Sequence, residues 1–238
     1  MNKKYPFKGI VFDLDGTILD STGIWAQIDK KFFEKRGMKV PEDYDESIAG
    51  MSVEESARYT KSRWKIKESP EEIVDEWNES IRSQYFDKIQ LKPGAKEFIA
   101  MLKGKGVKMG IATALNEELM IACLTRLNVY DSFDAAISVD MINKGGKKTA
   151  EVYLAAMKKM ELLPQSCLVF EDTLAGVKEA LKTGATVYCM SDEASRKLHP
   201  EIEKIADSLF ENYYELLPGQ RRLIVNGPEM GFAAPAID

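Results

Sequence analysis

Short apolar runs alternate with helical patterns along most of the chain. Gly9-Ile-Val-Phe-Asp-Leu14, Val107-Lys-Met-Gly-Ile-Ala-Thr113, Ala135-Ala-Ile-Ser138, Cys167-Leu-Val-Phe170 and Thr186-Val-Tyr-Cys-Met190 read as five strands. Runs this short and this continuously apolar suit strands covered on both faces, as in a parallel sheet. Between them, Phe98, Ile99 and Leu102 share one face of a helix over 93–103, and Gly104 and Gly106 supply its stop signals. Leu174, Val177 and Leu181 do the same over 173–183 before Gly184. The repeated order strand, helix, strand predicts an α/β fold, a doubly wound parallel sheet with right-handed crossovers.

One interval breaks the alternation. From residue 19 to residue 88 the pattern is helical, with no convincing strand. Ile24, Ile28 and Phe32 recur every four residues, and Gly37 closes that helix. Ser69-Pro-Glu-Glu72 is a capping box with proline at the first helical position, opening a helix in which Ile73, Trp77 and Ile81 share a face. About seventy residues of helix after the first strand exceed the single helix that a doubly wound crossover usually carries. The expectation is a small all-helical cap domain, residues 19–90, set on a core formed by 1–18 and 91–218. Residues 219–238, rich in Gly, Pro and Ala, form a C-terminal tail with no assigned role.

Composition narrows the chemistry. The 238 residues carry 33 Lys+Arg against 38 Asp+Glu, a formal net charge of −5, with 45% hydrophobic and 30% charged residues. That is ordinary for a soluble globular protein. No window approaches the roughly 20 apolar residues of a membrane span, and Asp13 and Asp15 interrupt the first apolar run too early for a secretory signal. The acidic balance offers no field for gripping a nucleic-acid backbone. Cys123, Cys167 and Cys189 form no CxxC and sit in apolar contexts, as small core residues do in a reducing cytoplasm. The single histidine, His199, precedes Pro200 in a polar stretch and is expected in a solvated loop, so Ser-His-Asp, Cys-His and multi-histidine zinc chemistry are disfavoured. Carboxylates, a lysine and hydroxyls are left to carry the function.

Open parallel sheets bind ligands beyond the carboxyl ends of their strands. The first predicted strand delivers Asp13, Leu14, Asp15, Gly16 and Thr17 there, the second ends in Thr113, and the fourth runs into Glu171 and Asp172. Four carboxylates on one rim would repel one another strongly in a half-buried site. A hard divalent cation such as Mg²⁺, with its preference for oxygen ligands, relieves that repulsion and keeps room for a phosphate. A carboxylate so placed acts as a nucleophile toward phosphorus, and a second one nearby protonates the leaving oxygen and later activates water. Thr113 offers a hydroxyl to the phosphoryl oxygens, and the loop Asn143-Lys-Gly-Gly-Lys-Lys148 offers lysines.

Four motifs then coincide. Phe12-Asp-Leu-Asp-Gly-Thr17 resembles the signature of the haloacid dehalogenase superfamily, whose members are mostly phosphatases. Ile111-Ala-Thr113 resembles its second motif, Gly146-Lys147 its lysine motif, and Val169-Phe-Glu-Asp-Thr173 with Ala175-Gly176 its acidic motif. They occur in the family's order, the resemblance covers residues 8–217, and the helical insertion resembles the cap of the β-phosphoglucomutase-like branch. The resemblance implies that Asp13 is the nucleophile and Asp15 the general acid/base. It implies that Asp172 and Asp13 hold Mg²⁺, supported by Glu171 and the backbone carbonyl of Asp15. Thr113 and Lys147 would hold the phosphoryl group, with backbone N–H groups near Leu14 and Ala114. The family's Lys-Pro-x-Pro-Asp aligns with Lys147-Lys-Thr-Ala-Glu151, so choosing Lys147 over Lys148 rests on register alone.

Two departures bear on the reaction. Mutases of this branch resemble this sequence but place a histidine where Trp25 aligns and an arginine where Gly50-Met-Ser-Val53 has Val53. Arginine suits the second phosphate of a bisphosphate, and valine does not. Trp25 and the loop 49–56, with Gly50, are expected to set specificity, with plain packing as the alternative for Trp25. The presence of Asp15 weighs against the dehalogenases and phosphonatases of the superfamily. The reading is a Mg²⁺-dependent phosphatase of small phosphorylated metabolites, cytoplasmic, monomeric or a weak homodimer, with neither nucleic acid nor membrane as partner. The competing readings are a sugar-phosphate mutase and, more remotely, a phospho-acceptor signalling module or a phosphate-ester binder without turnover.

Overall fold

The computed structural model describes residues 7–48, 51, 53–142 and 149–218. Six parallel strands form one sheet: β1 Gly9–Phe12, β2 Lys108–Thr113, β3 Ala135–Ser138, β4 Cys167–Glu171, β5 Thr186–Met190 and β6 Ser208–Phe210, in the order β3-β2-β1-β4-β5-β6. β1 is central, with Phe12 opposite Ile111 on one side and Phe170 on the other. All five expected strands are present, and the first stops at Phe12, so Asp13 and Leu14 lie beyond it. β6 was not expected. Its three residues are too few to show a pattern, and pairing with β5 makes it a strand, Tyr188 opposite Ser208 and Met190 opposite Phe210.

Four helices follow β1: α1 Thr22–Glu34, α2 Tyr44–Ile48, α3 Val53–Trp64 and α4 Pro70–Asp87. The others are α5 Ala95–Gly104, α6 Glu117–Arg126, α7 Val139–Ile142, α8 Ala150–Lys159, α9 Leu174–Leu181 and α10 His199–Ile202. Side chains alternate along each strand, so the sheet has two buried faces. Ile10 and Phe12 pack with Phe98 and Leu102 of α5 and Leu119 of α6. Val11 and Val169 pack on the other face with Val152 and Ala156 of α8 and Val177 of α9. Phe12 stacks on Phe170 at 5.2 Å, and Phe98 meets both rings edge-on. Each such pair contributes about 0.5–1.5 kcal/mol beyond its burial. That cluster fixes the ends of β1 and β4, where the candidate site begins.

The expected capping box of α4 is present. Glu72 N–H donates to Ser69 Oγ at 3.2 Å, and Ser69 N–H donates to Glu72 Oε2 at 2.7 Å. Gly37, at φ +70°, follows α1 and permits the left-handed turn that ends it. Phe32 of α1 packs on Trp77 of α4, and Arg36 bonds Glu68, Glu76 and the Phe32 carbonyl, tying α1 to α4. The apolar cluster of the α5 and α6 face continues through Ile28, Phe32, Phe33, Tyr44 and Trp77 of the helical segment. The chain crosses between this segment and the sheet at residues 18–20 and 90–92, and the crossings bond to each other. Lys92 N–H donates to the Ile18 carbonyl at 2.7 Å, and Asp20 N–H donates to the Gln90 carbonyl at 2.9 Å. Lys92 Nζ then reaches the buried Asp192, just beyond β5, at 2.5 Å.

Two smaller expectations resolve differently. All three cysteines are buried and free, as expected. His199 does not sit in a solvated loop: it opens α10, is half-buried, and lies 3.4 Å from Ser195 Oγ, because proline suits the first turn of a helix. Among the described residues no helix is long and apolar enough to cross a membrane.

Asp29 of α1 shows how burial in the helical segment alters a carboxyl. Burial, and then the charge of Asp45, push it up to about 7. Its folded value exceeds its unfolded one, so its contribution to stability is complete below about pH 4 and is lost as pH rises through about 7. Asp29→Asn is expected to raise Tm at about pH 8 by roughly 2–4 °C for each kcal/mol of ionisation cost removed. At about pH 4 it should leave Tm little changed. Thermal unfolding followed across that range checks both limits.

Candidate active site

β1 and β4 are neighbours in register, so the residues after Phe12 and Phe170 emerge side by side at one rim of the sheet. The Asp13 N–H donates to the Phe170 carbonyl at 3.0 Å, which carries the pairing one residue past β1. Gly16, at φ +74°, turns the chain, and the N–H groups of Thr17, Ile18 and Leu19 all converge on the Leu14 carbonyl at 3.2, 2.9 and 2.8 Å. This curled turn places Asp13 beside Glu171 and Asp172. Each of the three offers a carboxylate oxygen, these oxygens lie within 4.8 Å of one another, and all three residues are buried.

Like charges this close in a low-dielectric setting repel, so each carboxylate needs donors or a cation. Thr17 Oγ1 donates to Asp13 Oδ2 at 3.1 Å and lies 3.5 Å from Asp172 Oδ1, spanning the two strand ends. Glu171 is held on both oxygens. Tyr153 OH of α8 donates to Oε1 at 2.5 Å, while Oε2 accepts the N–H groups of Asp172 and Thr173 at 3.2 and 3.4 Å and the Thr173 hydroxyl at 3.3 Å. The same Thr173 hydroxyl accepts the Gly176 N–H at 3.1 Å and caps α9. Neighbouring groups register the trio's charge. Burial, with Asp13 and Asp172 next, holds the Tyr213 phenol well above its ordinary range, and burial with Asp172 and Glu171 does the same to the Cys189 thiol.

Asp15 is not a member of this trio. Its Oδ1 accepts from Ser21 Oγ at 2.7 Å and from Tyr85 OH of α4, so the helical segment holds it from outside the sheet. Burial, reinforced by Asp15, keeps the Tyr85 phenol protonated as that donor. Thr113, buried at the end of β2, accepts the Leu115 N–H at 3.0 Å, and Ser138, at the end of β3, donates to the Leu115 carbonyl at 2.8 Å. Together they shape the turn into α6, whose N-cap Asn116 accepts the Leu119 N–H at 2.9 Å.

A cleft of about 420 Å³ lies between this rim and the helical segment. Asp15, Ala114 and Asn116 line it from the sheet side, and Trp25, Val53 and Asn78 from the helices. The site residues expected from the sequence therefore divide into three groups. Asp13, Glu171 and Asp172 come together as a buried cluster. Asp15, Ala114 and Trp25 line the cleft, while Thr113 and Leu14 are buried at the rim. Lys147, Lys148 and Gly50 lie outside the described residues. Sequence reasoning missed Thr17, Ser21, Tyr85, Tyr153, Asn78 and Asn116 as site residues. Asn116-Glu-Glu before an apolar run is a readable cap signal. Tyr85 and Tyr153 meet Asp15 and Glu171 only through the fold, and no local pattern marks them.

The chain is similar to known proteins in sequence and in fold. A family model described as haloacid dehalogenase-like hydrolase matches residues 10–190. A phosphorylated carbohydrates phosphatase of Thermotoga maritima is 26% identical over 177 residues, covering 74% of this chain and 82% of the relative. Hexitol phosphatase B of Escherichia coli is 25% identical over 170 residues, covering 70% and 76%. The crystal structure of β-phosphoglucomutase from Clostridium difficile superposes with a TM-score of 0.69 at 22% identity, covering 89% of this chain and 93% of that one.

Gly176 explains how Glu171 fits beneath α9. A Cβ at this position would lie 2.1 Å from Glu171 Oε2 and 2.3 Å from its Cδ. Gly176→Ala is expected to destabilise the protein by about 1–3 kcal/mol, as overpacking does. Urea unfolding reads the loss. In the Glu171→Ala background the same substitution should cost far less, because the colliding carboxylate is gone, whereas additive losses would show another origin.

Proposed function

Because the chain belongs to the haloacid dehalogenase-like hydrolase family, we propose that it is a Mg²⁺-dependent phosphatase of small, sugar-phosphate-like monoesters, working through an aspartyl phosphate. The observation that carries this reading is the buried trio Asp13, Glu171 and Asp172 beside a cleft that holds a separate carboxylate, Asp15. The named phosphatases among its relatives support the reaction class.

The trio fits Mg²⁺ on its donor chemistry: three carboxylates, all oxygen, buried and mutually close, with no sulfur or nitrogen among them. Asp13 and Asp172 would hold the ion, with the backbone carbonyl of Asp15, and Glu171 would support them through the Asp172 and Thr173 N–H groups that it accepts. When bound, the ion would offset the carboxylate charge and polarise the phosphoryl group.

The remaining chemistry belongs to the chain's own groups. An Asp13 oxygen attacks phosphorus, the bond from phosphorus to the alcohol oxygen breaks, and Asp15 gives that oxygen its proton. Asp15 then takes a proton from water, which attacks the aspartyl phosphate and frees Asp13 and inorganic phosphate. Ser21 and Tyr85 hold Asp15 where it lines the cleft. Thr113, Lys147 and the N–H groups near Leu14 and Ala114 hold the transferring oxygens in this scheme. The helices of residues 19–90 act as a cap on a core of 1–18 and 91–218, limiting water at the site, and Trp25 with the Gly50 loop contributes to selectivity.

Mutase chemistry is the weaker reading. Among the described residues lining the cleft there is no lysine or arginine to take a second phosphate, and Val53 occupies the place where an arginine would serve.

Phosphate release from sugar, polyol and nucleotide monophosphates and from an aryl phosphate tests the proposal. Release should require Mg²⁺, stop with EDTA, and fall to background in Asp13→Asn. Full turnover in that variant would overturn the assignment of the nucleophile. Asp15→Asn should lower kcat on sugar phosphates by about 10²–10⁴-fold. The loss should be smaller on the aryl phosphate, whose phenolate leaves with less need of a proton.

A further inference from the structure

Tyr153 sits one turn into α8 and is fully buried, among Met157, Val169 and Val177 on one face of the sheet. It is not among the residues that line the cleft, so it does not touch a substrate held there. A phenylalanine would fill the same room, and a buried hydroxyl is destabilising unless it is matched. Here it donates to Glu171 Oε1 at 2.5 Å, a bond to a carboxylate and therefore stronger than one between neutral groups.

Glu171 carries this bond onward. Its other oxygen accepts the N–H groups of Asp172 and Thr173 at 3.2 and 3.4 Å. A carboxylate is planar, so fixing Oε1 also fixes the direction in which Oε2 meets those donors. The backbone at Asp172 is thereby set, and with it the stance of the Asp172 carboxylate toward Asp13 and Thr17. α8 is anchored in turn. The Ala150 N–H, in its first turn, donates to Glu179 Oε2 of α9 at 3.2 Å. α9 starts on the Thr173 hydroxyl, which accepts the Gly176 N–H and donates to Glu171 Oε2 at 3.3 Å. The bonds close a circuit from Glu171 through Tyr153, α8, Glu179, α9 and Thr173 back to Glu171. Ala150 stands where the aligned family pattern has its second proline, which would have no N–H to give to Glu179.

We propose that Tyr153, on a helix anchored by Glu179, is a positioning residue for the divalent ion. Through Glu171 it fixes the loop that carries Asp172, so affinity for the ion depends on a phenol that is not one of the ion's ligands. Groups that orient metal ligands typically set affinity by 10- to 100-fold. The inference rests on the reading of Asp13 and Asp172 as the residues that hold Mg²⁺.

Tyr153→Phe keeps the ring and removes only the hydroxyl. Titrating Mg²⁺ into the EDTA-treated, dialysed protein in a calorimeter reads affinity without any reaction. The Kd should rise about 10-fold or more in Tyr153→Phe. On the aryl phosphate, kcat at saturating Mg²⁺ should stay within about threefold of the unmodified protein, because the filled site is the same. In Glu171→Gln, adding Tyr153→Phe should weaken Mg²⁺ binding no further, because the phenol acts through that side chain. A Kd changed by less than about threefold in Tyr153→Phe, or additive losses in the double variant, would overturn the proposal. If Tyr153→Phe does not fold, Glu179→Ala decides, since it opens the circuit outside the buried groups: a Kd raised about threefold supports the proposal and an unchanged Kd rejects it. If the unmodified protein binds Mg²⁺ but turns over no ester, the phosphatase reading fails, while the calorimetric comparison still decides the role of Tyr153. If it binds no Mg²⁺, both readings fall.

Discussion

Three carboxylates buried within 4.8 Å of one another set the central problem of this structure, because their mutual repulsion has to be contained without removing their charge. The arrangement of the sheet supplies the means. β1 and β4 pair side by side in the middle of the sheet, so Asp13 and Asp172 end up adjacent although 159 residues separate them. Thr17 reaches both, and the stacked rings of Phe12 and Phe170 hold the strand ends from below. The aromatic cluster thus has a second task besides filling the core: it keeps two charged strand ends from moving apart.

Glu171 is the most constrained of the three. Tyr153, Thr173 and two backbone N–H groups occupy its oxygens, and the absence of a side chain at Gly176 leaves it room under α9. A carboxylate bound this fully orients the loop that carries Asp172 more than it offers itself to a ligand. Asp15 contrasts with it: only two residues from Asp13, it points toward the helices and is held by Ser21 and Tyr85. Two aspartates on one turn thereby acquire different surroundings, which is the condition for giving them different chemical tasks.

The helical segment contributes at three levels. Its bonded crossings at residues 18–20 and 90–92 fix where it leaves and rejoins the sheet. α4 sends Tyr85 to Asp15 and Asn78 to the cleft, so one helix both positions an acidic group and shapes the space above it. Inside, the same helices enclose a cavity of about 290 Å³ whose wall carries Asp29, Asp45 and Trp77. Shared residues Trp25, Met51 and Val53 make the two spaces neighbours.

Much of this was legible in the chain itself. Strands covered on both faces announce themselves as short apolar runs, capping boxes and helix-ending glycines as local patterns, and strand-end aspartates as polar residues where apolar runs stop, because each depends on a few consecutive residues. The six-residue run from Phe12 to Thr17 and the acidic pair at Glu171 and Asp172 therefore carry the candidate site's charged groups in two short, readable segments. Tertiary structure alone decided the strand order, the existence of β6, the place of His199 in a short helix, and the meeting of Tyr85 with Asp15 and of Tyr153 with Glu171. The same holds for the cavity around Trp77, whose walls come from four helices. The reason is physical: these contacts join residues far apart in sequence, and what fixes them is shape, burial and hydrogen-bond satisfaction in the packed state, none of which leaves a local pattern in the chain.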